Sequence, residues 1–192
     1  MENMDFGKVA LVLGDPSRMI RQGLKGALFT QGFREILDSD KVSVIREAVA
    51  ENNVDLLICD ATLPDGDVCQ LTRDIRHHRI GNNPFIVIIT LIDEPDRDLV
   101  MKVINSGSDD VVLKPFSPAK LIERVKHLSR NRKRFVVTTD YIGPNRRDGE
   151  ETREGEVIPE IDVPNPVRAK AQRMADTDAL QRAVDAVARV IN

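Results

Sequence analysis

Asp55-Leu56-Leu57-Ile58-Cys59-Asp60-Ala61-Thr62-Leu63-Pro64 is the stretch that decides the fold. Residues 56–59 are apolar without alternation, and the run ends on a carboxylate. Unbroken apolar character marks a parallel strand covered on both faces. A carboxylate at the carboxyl end of such a strand lies where open α/β sheets place their ligands. Three further runs end the same way. Residues 9–13 pass through Gly14 into Asp15, residues 85–89 end at Thr90, and residues 111–113 end at Lys114-Pro115. Two carboxylates, a hydroxyl and an ammonium therefore converge on one rim, a set suited to a divalent cation and a phosphoryl group.

Between these strands the pattern turns helical. Strands are expected at 8–13, 33–37, 56–59, 85–90 and 110–113, and helices at 17–31, 41–52, 67–79, 96–106 and 117–130. Met19, Ile20, Leu24, Ala27 and Leu28 fall on one face of the first helix, which Gly32 stops. The run Gly81-Asn82-Asn83-Pro84 breaks the third, and Gly107 closes the fourth. Five β-α repeats with short connections predict α/β architecture, a doubly wound five-stranded parallel sheet with helices on both faces.

The texture changes after residue 134. Residues 143–166 are rich in Gly, Pro, Glu and Arg and poor in large apolar side chains, so 135–166 is expected to be a mostly extended linker. A C-terminal helical segment is expected over 167–192. Leu180, Val184, Val187 and Ile191 form one apolar stripe; Val167, Ala171 and Met174 form another out of phase with it. Asp176-Thr177 between them can cap a second helix. The expected organisation is thus 1–134, 135–166 and 167–192.

Bulk properties narrow the function. The 192 residues carry a formal net charge of −3, with 41% hydrophobic and 31% charged residues. No apolar stretch approaches the roughly 20 residues needed to span a bilayer. The first residues lack the basic and apolar regions of a secretion signal. Two cysteines, Cys59 and Cys69, make no disulfide framework. A reduced, cytoplasmic location is expected. The near-neutral charge gives no general attraction to nucleic acid or membrane.

A carboxylate such as Asp60 can act as a covalent nucleophile and form an acyl phosphate. Asp15 and Asp60, with the backbone carbonyl of Thr62, can supply oxygen ligands to Mg²⁺. Lys114 can pair with one phosphoryl oxygen and Thr90 can donate to another. At this point the sequence resembles the receiver domain of bacterial two-component response regulators of the chemotaxis-regulator type, over roughly residues 7 to 130. The matching pieces are 9–15, 55–64, 86–90, Gly107-Ser108-Asp109-Asp110 and Lys114-Pro115-Phe116. The resemblance implies the flavodoxin-like receiver fold and Asp60 as acceptor of a phosphoryl group from a histidine kinase or phosphotransfer protein. It also implies Mg²⁺ on Asp15, Asp60 and the Thr62 carbonyl, with Thr90 and Lys114 reading the phosphorylated state. A cis peptide before Pro115 is implied as well. Beyond self-phosphorylation and slow self-dephosphorylation, no enzyme activity is expected.

Three positions depart from that family's pattern. Gly14 stands where a second acidic residue is usual, which predicts weaker metal binding. Leu91, after the threonine, is large and is expected to crowd Asp60. Val111 replaces an aromatic that usually couples to the threonine. These departures motivate a second reading, a scaffold that keeps the fold and acts through its tail without phosphorylation.

The remaining motifs point to protein contacts. His77, His78 and His127 read as structural or solvated, and the basic run 130–134 as a solvated helix end. Residues 135–192 carry 8 Lys/Arg against 11 Asp/Glu, and no helix-turn-helix fits there, so no DNA binding is expected. Tyr141, Arg146 and Arg147 read equally as an exposed turn and as a docking motif whose guanidiniums grip carboxylate or phosphate. Leu180, Val184, Val187 and Ile191 are expected to pack back on the chain, on a second copy or in a partner's groove. An output protein, or a homodimer through the terminal helix or the face of the fourth and fifth helices, completes the expected partner set.

Overall fold

The computed structural model describes residues 4–94, 96–146, 160–172 and 177–191. Five strands, β1 (Ala10–Gly14), β2 (Glu35–Ser39), β3 (Leu56–Asp60), β4 (Val87–Ile92) and β5 (Asp110–Leu113), form one parallel sheet in the order β2-β1-β3-β4-β5. Five helices connect or follow them: α1 (Arg18–Thr30), α2 (Val42–Glu51), α3 (Val68–Arg76), α4 (Arg97–Asn105) and α5 (Pro118–Arg130). This is the doubly wound, flavodoxin-like architecture expected from the alternating pattern.

Alternate residues of each strand face opposite sides of the sheet, and the core divides accordingly. Leu11, Leu13, Ile58 and Ile89 pack with Leu24 and Leu28 of α1 and Leu121 and Val125 of α5. Val12, Leu57, Cys59 and Ile88 pack on the other side with Ile45 of α2 and Leu71 of α3. Four of these five helices start on side-chain caps that take up otherwise unsatisfied backbone donors. Ser17, Asp67, Asp96 and Ser117 each accept from an N–H two or three residues on.

Three strands, β1, β2 and β4, begin two residues later than expected. Phe33 leaves β2 to stack on Phe6, with ring centroids 4.6 Å apart. Phe85 and Ile86 precede β4 because arginine side chains take their carbonyls. Arg132 Nη1 donates to Phe85 O at 2.5 Å, and Arg76 Nη1 donates to Ile86 O at 2.8 Å.

The described residues of the segment expected as an extended linker, 135–146 and 160–166, are more ordered than its composition suggests. β6 (Phe135–Val137), β7 (Ile142–Pro144) and β8 (Glu160–Ile161) form an antiparallel sheet in the order β7-β6-β8. The expected helical segment is two helices, α6 (Pro166–Ala171) and α7 (Thr177–Ile191). Their apolar residues are used within the chain. Val167 and Ala171 join the α1/α5 core, and Val184 packs with Phe85, Phe135 and Ile142. The described residues 135–146 and 160–171 thus lie toward the amino-terminal ends of the sheet strands, away from the carboxyl-terminal rim.

Candidate functional site

The rim is built by the carboxyl ends of β1, β3 and β5. Asp15 and Asp60 are fully buried. Asp60 Oδ1 accepts from Thr62 N at 2.7 Å and Thr62 Oγ1 at 2.5 Å, so the turn after β3 fixes the carboxylate's orientation. Lys114 donates to the other oxygen, Oδ2. Its ammonium also lies 2.7 Å from Asp15 Oδ2 and 3.3 Å from Asp93 Oδ1. Burial pulls the Lys114 pKa down, but the adjacent carboxylates of Asp15 and Asp60 outweigh that and hold it well above the usual lysine range. The peptide bond before Pro115 is cis.

Asp15 is anchored through Oδ1, which accepts from Ser17 N at 2.8 Å. Its Oδ2 is buried and makes no hydrogen bond of good geometry, the 2.7 Å approach of Lys114 being an ionic contact without alignment. A buried carboxylate oxygen with unused acceptor capacity, beside a second carboxylate, fits a hard cation that takes oxygen ligands. Among the described residues no group of three or more acidic, histidine or cysteine side chains is placed to hold a metal ion. An open cavity of about 490 Å³ beside Lys114, lined by Ile20, Leu24, Asp93 and Phe116, leads to the rim.

Thr90 is buried on β4, yet its hydroxyl does not meet Asp60. Thr90 Oγ1 and Ser108 Oγ share a hydrogen bond at 2.7 Å. Leu91 is the register partner of Asp60 on the neighbouring strand and is fully buried in the α1/α5 core. Val111 packs toward α4 with Leu99, Val100 and Val103. The place of the absent second acid is filled: a Cβ on Gly14 would lie 2.5 Å from Ile45 Cδ1, 2.8 Å from Leu63 Cδ1 and 3.0 Å from Cys59 Sγ. Position 14 thus carries no side chain because apolar neighbours occupy its space.

A family profile described as the response regulator receiver domain matches residues 11–126. The chain belongs to the response regulator receiver family. Its relatives include the transcriptional regulatory protein GltR of Pseudomonas aeruginosa, 35% identical over 122 residues, covering 63% of this chain and 49% of the relative. The transcriptional regulatory protein SrrA of Staphylococcus aureus is 32% identical over 138 residues, covering 72% and 54%. The chain therefore spans about half the length of these curated relatives. The chemotaxis response regulator CheY4 of Vibrio cholerae shares the fold, with a TM-score of 0.55 at 21% identity over 63% of this chain and 99% of that one.

The receiver's tail residues have partners inside the chain. Tyr141 Oη donates to Pro144 O at 2.9 Å. Arg146 Nη2 donates to the carbonyls of Ser108 and Asp109. Val184 is buried and Val187 packs partly buried against the same aromatic cluster. Arg147 and the side chains of Leu180 and Ile191 lie outside the described residues, as do Met174 and Asp176.

A second polar centre escaped the sequence reading. Asp109, fully buried, accepts from Arg76 Nη2 at 2.9 Å, Arg132 Nε at 2.8 Å and Ile88 N at 2.8 Å. Burial works against its charge, but Arg132 and Arg76 outweigh that and hold its carboxyl below the usual range. Arg76 is equally buried, and desolvation pulls it down to about 10, still charged at neutral pH. Both guanidiniums lie over the Phe135 ring, at 5.1 and 4.8 Å from its centroid. The basic run at 130–134 is thus not uniformly solvated. Arg132 is an internal cation, whereas Arg134 makes an exposed pair with Asp162.

Proposed function

We propose that Asp60 accepts a phosphoryl group from a histidine kinase or phosphotransfer protein, and that the receiver signals through protein contacts rather than DNA. Receivers are signalling domains of two-component systems, with aspartyl phosphorylation and Mg²⁺ general to them. The observation that carries the assignment is the buried Asp60 carboxylate. It is oriented by Thr62 and held by Lys114, beside the spare oxygen of Asp15.

An Asp60 oxygen attacks phosphorus, the P–N bond of a donor phosphohistidine breaks, and the imidazole leaves with the bonding pair. Lys114 then follows the charge onto a phosphoryl oxygen as a compact cation. Asp15, Asp60 and the Thr62 carbonyl would hold Mg²⁺, which would supply charge neutralisation to the phosphoryl oxygens. Thr90 is one strand position from the acceptor and can donate its hydroxyl to a phosphoryl oxygen once released from Ser108. The exposed apolar side chains Met101 and Leu113, on α4 and at the end of β5, offer a surface to an output protein or a second copy. Output without DNA is supported by the acidic balance of residues 135–192 and by their use in covering the sheet.

One observation favours the phosphorylation-independent scaffold. The apolar filling around Gly14 removes a carboxylate from the rim. Intact-mass measurement after incubation with acetyl phosphate and Mg²⁺ separates the readings. A phosphoryl-sized gain in the wild type, absent in Asp60→Asn, supports the acceptor; no gain, with another receiver labelled in the same buffer, supports the scaffold.

A further inference from the structure

Ser108 joins two parts of the molecule otherwise far apart. Its hydroxyl is bonded to Thr90, and its carbonyl accepts from Arg146 in the segment that follows β7. Both Thr90 and Ser108 are buried, so neither hydroxyl can exchange its partner for bulk water. The docked segment sits tightly here. Gly107 has φ +98°, and a Cβ on it would lie 2.5 Å from Ile142 O; a Cβ on Gly143 would lie 2.8 Å from Gly107 Cα. Backbone of β7 therefore presses on the residue before Ser108. The grip is also incomplete, because Arg146 Nε is buried without a hydrogen-bond partner. A half-satisfied buried polar group weakens the docked state relative to release into water.

We propose that Ser108 is a positioning residue that holds the Thr90 hydroxyl away from Asp60 while residues 141–146 are docked, so that docking and the state of the rim are coupled. This rests on the reading of Asp60 as phosphoryl acceptor. A phosphoryl oxygen at Asp60 competes with Ser108 for the Thr90 hydroxyl. When Thr90 turns, Ser108 Oγ loses its partner, the backbone leading into β5 loosens, and the Arg146 contact weakens. By linkage, undocking must favour the turned Thr90 by the same factor. The segment thereby acts as an internal brake on the rim from the opposite end of the sheet.

The test uses the full chain, with beryllofluoride plus Mg²⁺ as the phosphoryl mimic. The Thr90 methyl resonance reports its rotamer, and amide exchange in the β6–β7 ladder reports docking. Arg146→Ala is expected to shift the Thr90 methyl resonance without any ligand, although residue 146 does not touch Thr90. Arg146→Lys, which keeps a donor, is expected to leave it near the wild-type position. Ser108→Ala removes one buried hydroxyl pair from the resting state and is expected to tighten mimic binding about 2- to 10-fold. The mimic should speed ladder exchange in the wild type and not in Ser108→Ala. An unchanged Thr90 resonance in Arg146→Ala overturns the coupling. Failure of the wild type to bind the mimic instead removes the acceptor reading, and the ligand-free Arg146→Ala comparison still decides the coupling.

Discussion

Replacing Asp109 with Asn keeps the shape of the side chain and removes its charge. In the wild type that one carboxylate serves two guanidiniums whose side chains are 0% and 4% exposed, and it also accepts from Ile88 N. Asparagine can still accept one of these hydrogen bonds, but its amide nitrogen is a donor facing donors. Arg76 and Arg132 then remain buried beside each other without a counter-ion. Breaking a buried pair by removing one partner costs about 3–5 kcal/mol. For a chain of this size that corresponds to a fall in Tm of roughly 6–20 °C. At a urea slope of about 2 kcal/mol per molar, the midpoint drops by roughly 1.5–2.5 M. Urea unfolding followed by far-UV circular dichroism at neutral pH measures it, with an unchanged slope required for the comparison. Combining Asp109→Asn with Arg132→Met should cost less than the sum of the single changes, by about 1 kcal/mol or more. A loss below about 1 kcal/mol for Asp109→Asn would refute the claim that this cluster is dry and that the segment after α5 is fastened by it.

Three further perturbations probe other contacts. Gly14→Asp should destabilise by about 1–3 kcal/mol through overpacking against Ile45 and Leu63, with Ile45→Ala recovering part of the loss; a neutral Gly14→Asp in urea unfolding would show that the space is freely available. Lys114→Met leaves Asp15 and Asp60 facing each other without the ammonium, so Mg²⁺ should raise its Tm more than that of the wild type, and equal shifts would contradict the competition. Lys170→Met removes the cation 2.7 Å from Asp55. Burial already raises the Asp55 pKa above 3.8, with Lys170 partly offsetting it. The variant's folded pKa rises further, and a raised carboxylate pKa favours the fold at low pH and loses that favour as pH rises through it. The deficit of Lys170→Met relative to wild type should therefore grow between about pH 4 and pH 8 in denaturant titrations, and a deficit independent of pH counts against the pairing.

The sheet was legible because its strands are unbroken apolar runs with polar ends, and that pattern reports burial on both faces directly. The meeting of Asp15, Asp60 and Lys114 followed from it, whereas Thr90 lies two residues before the end of β4 and bonds Ser108. Rotamer choice was not legible: nothing in the order of residues shows Thr90 bonded to Ser108 rather than facing Asp60. The tail misled because composition reports average hydrophobicity. Phe135, Ile142 and Ile161 are few, but they need only pack on Phe85 and Val184 to order three short strands. Arg132 was hidden inside a basic run, and its partner lies 23 residues earlier, a separation that no local pattern marks. The Gly107-Ser108-Asp109-Asp110 match placed Asp109 before a strand without revealing that it is the anion of a buried cluster.

The closure of the sheet's lower edge has a consequence for how the chain is made. Asp109 waits for Arg132, Asp55 for Lys170, and the backbone N–H of Asp5 for the carbonyl of Ala171. During vectorial synthesis every strand of the large sheet emerges before the residues that finish its base. Asp109 can pair with Arg76 as soon as β5 is made, whereas the contacts to Arg132, Lys170 and Ala171 come late, and such late, non-local contacts slow the final step of folding. A cut after α5 would take Arg132 from Asp109 and Lys170 from Asp55.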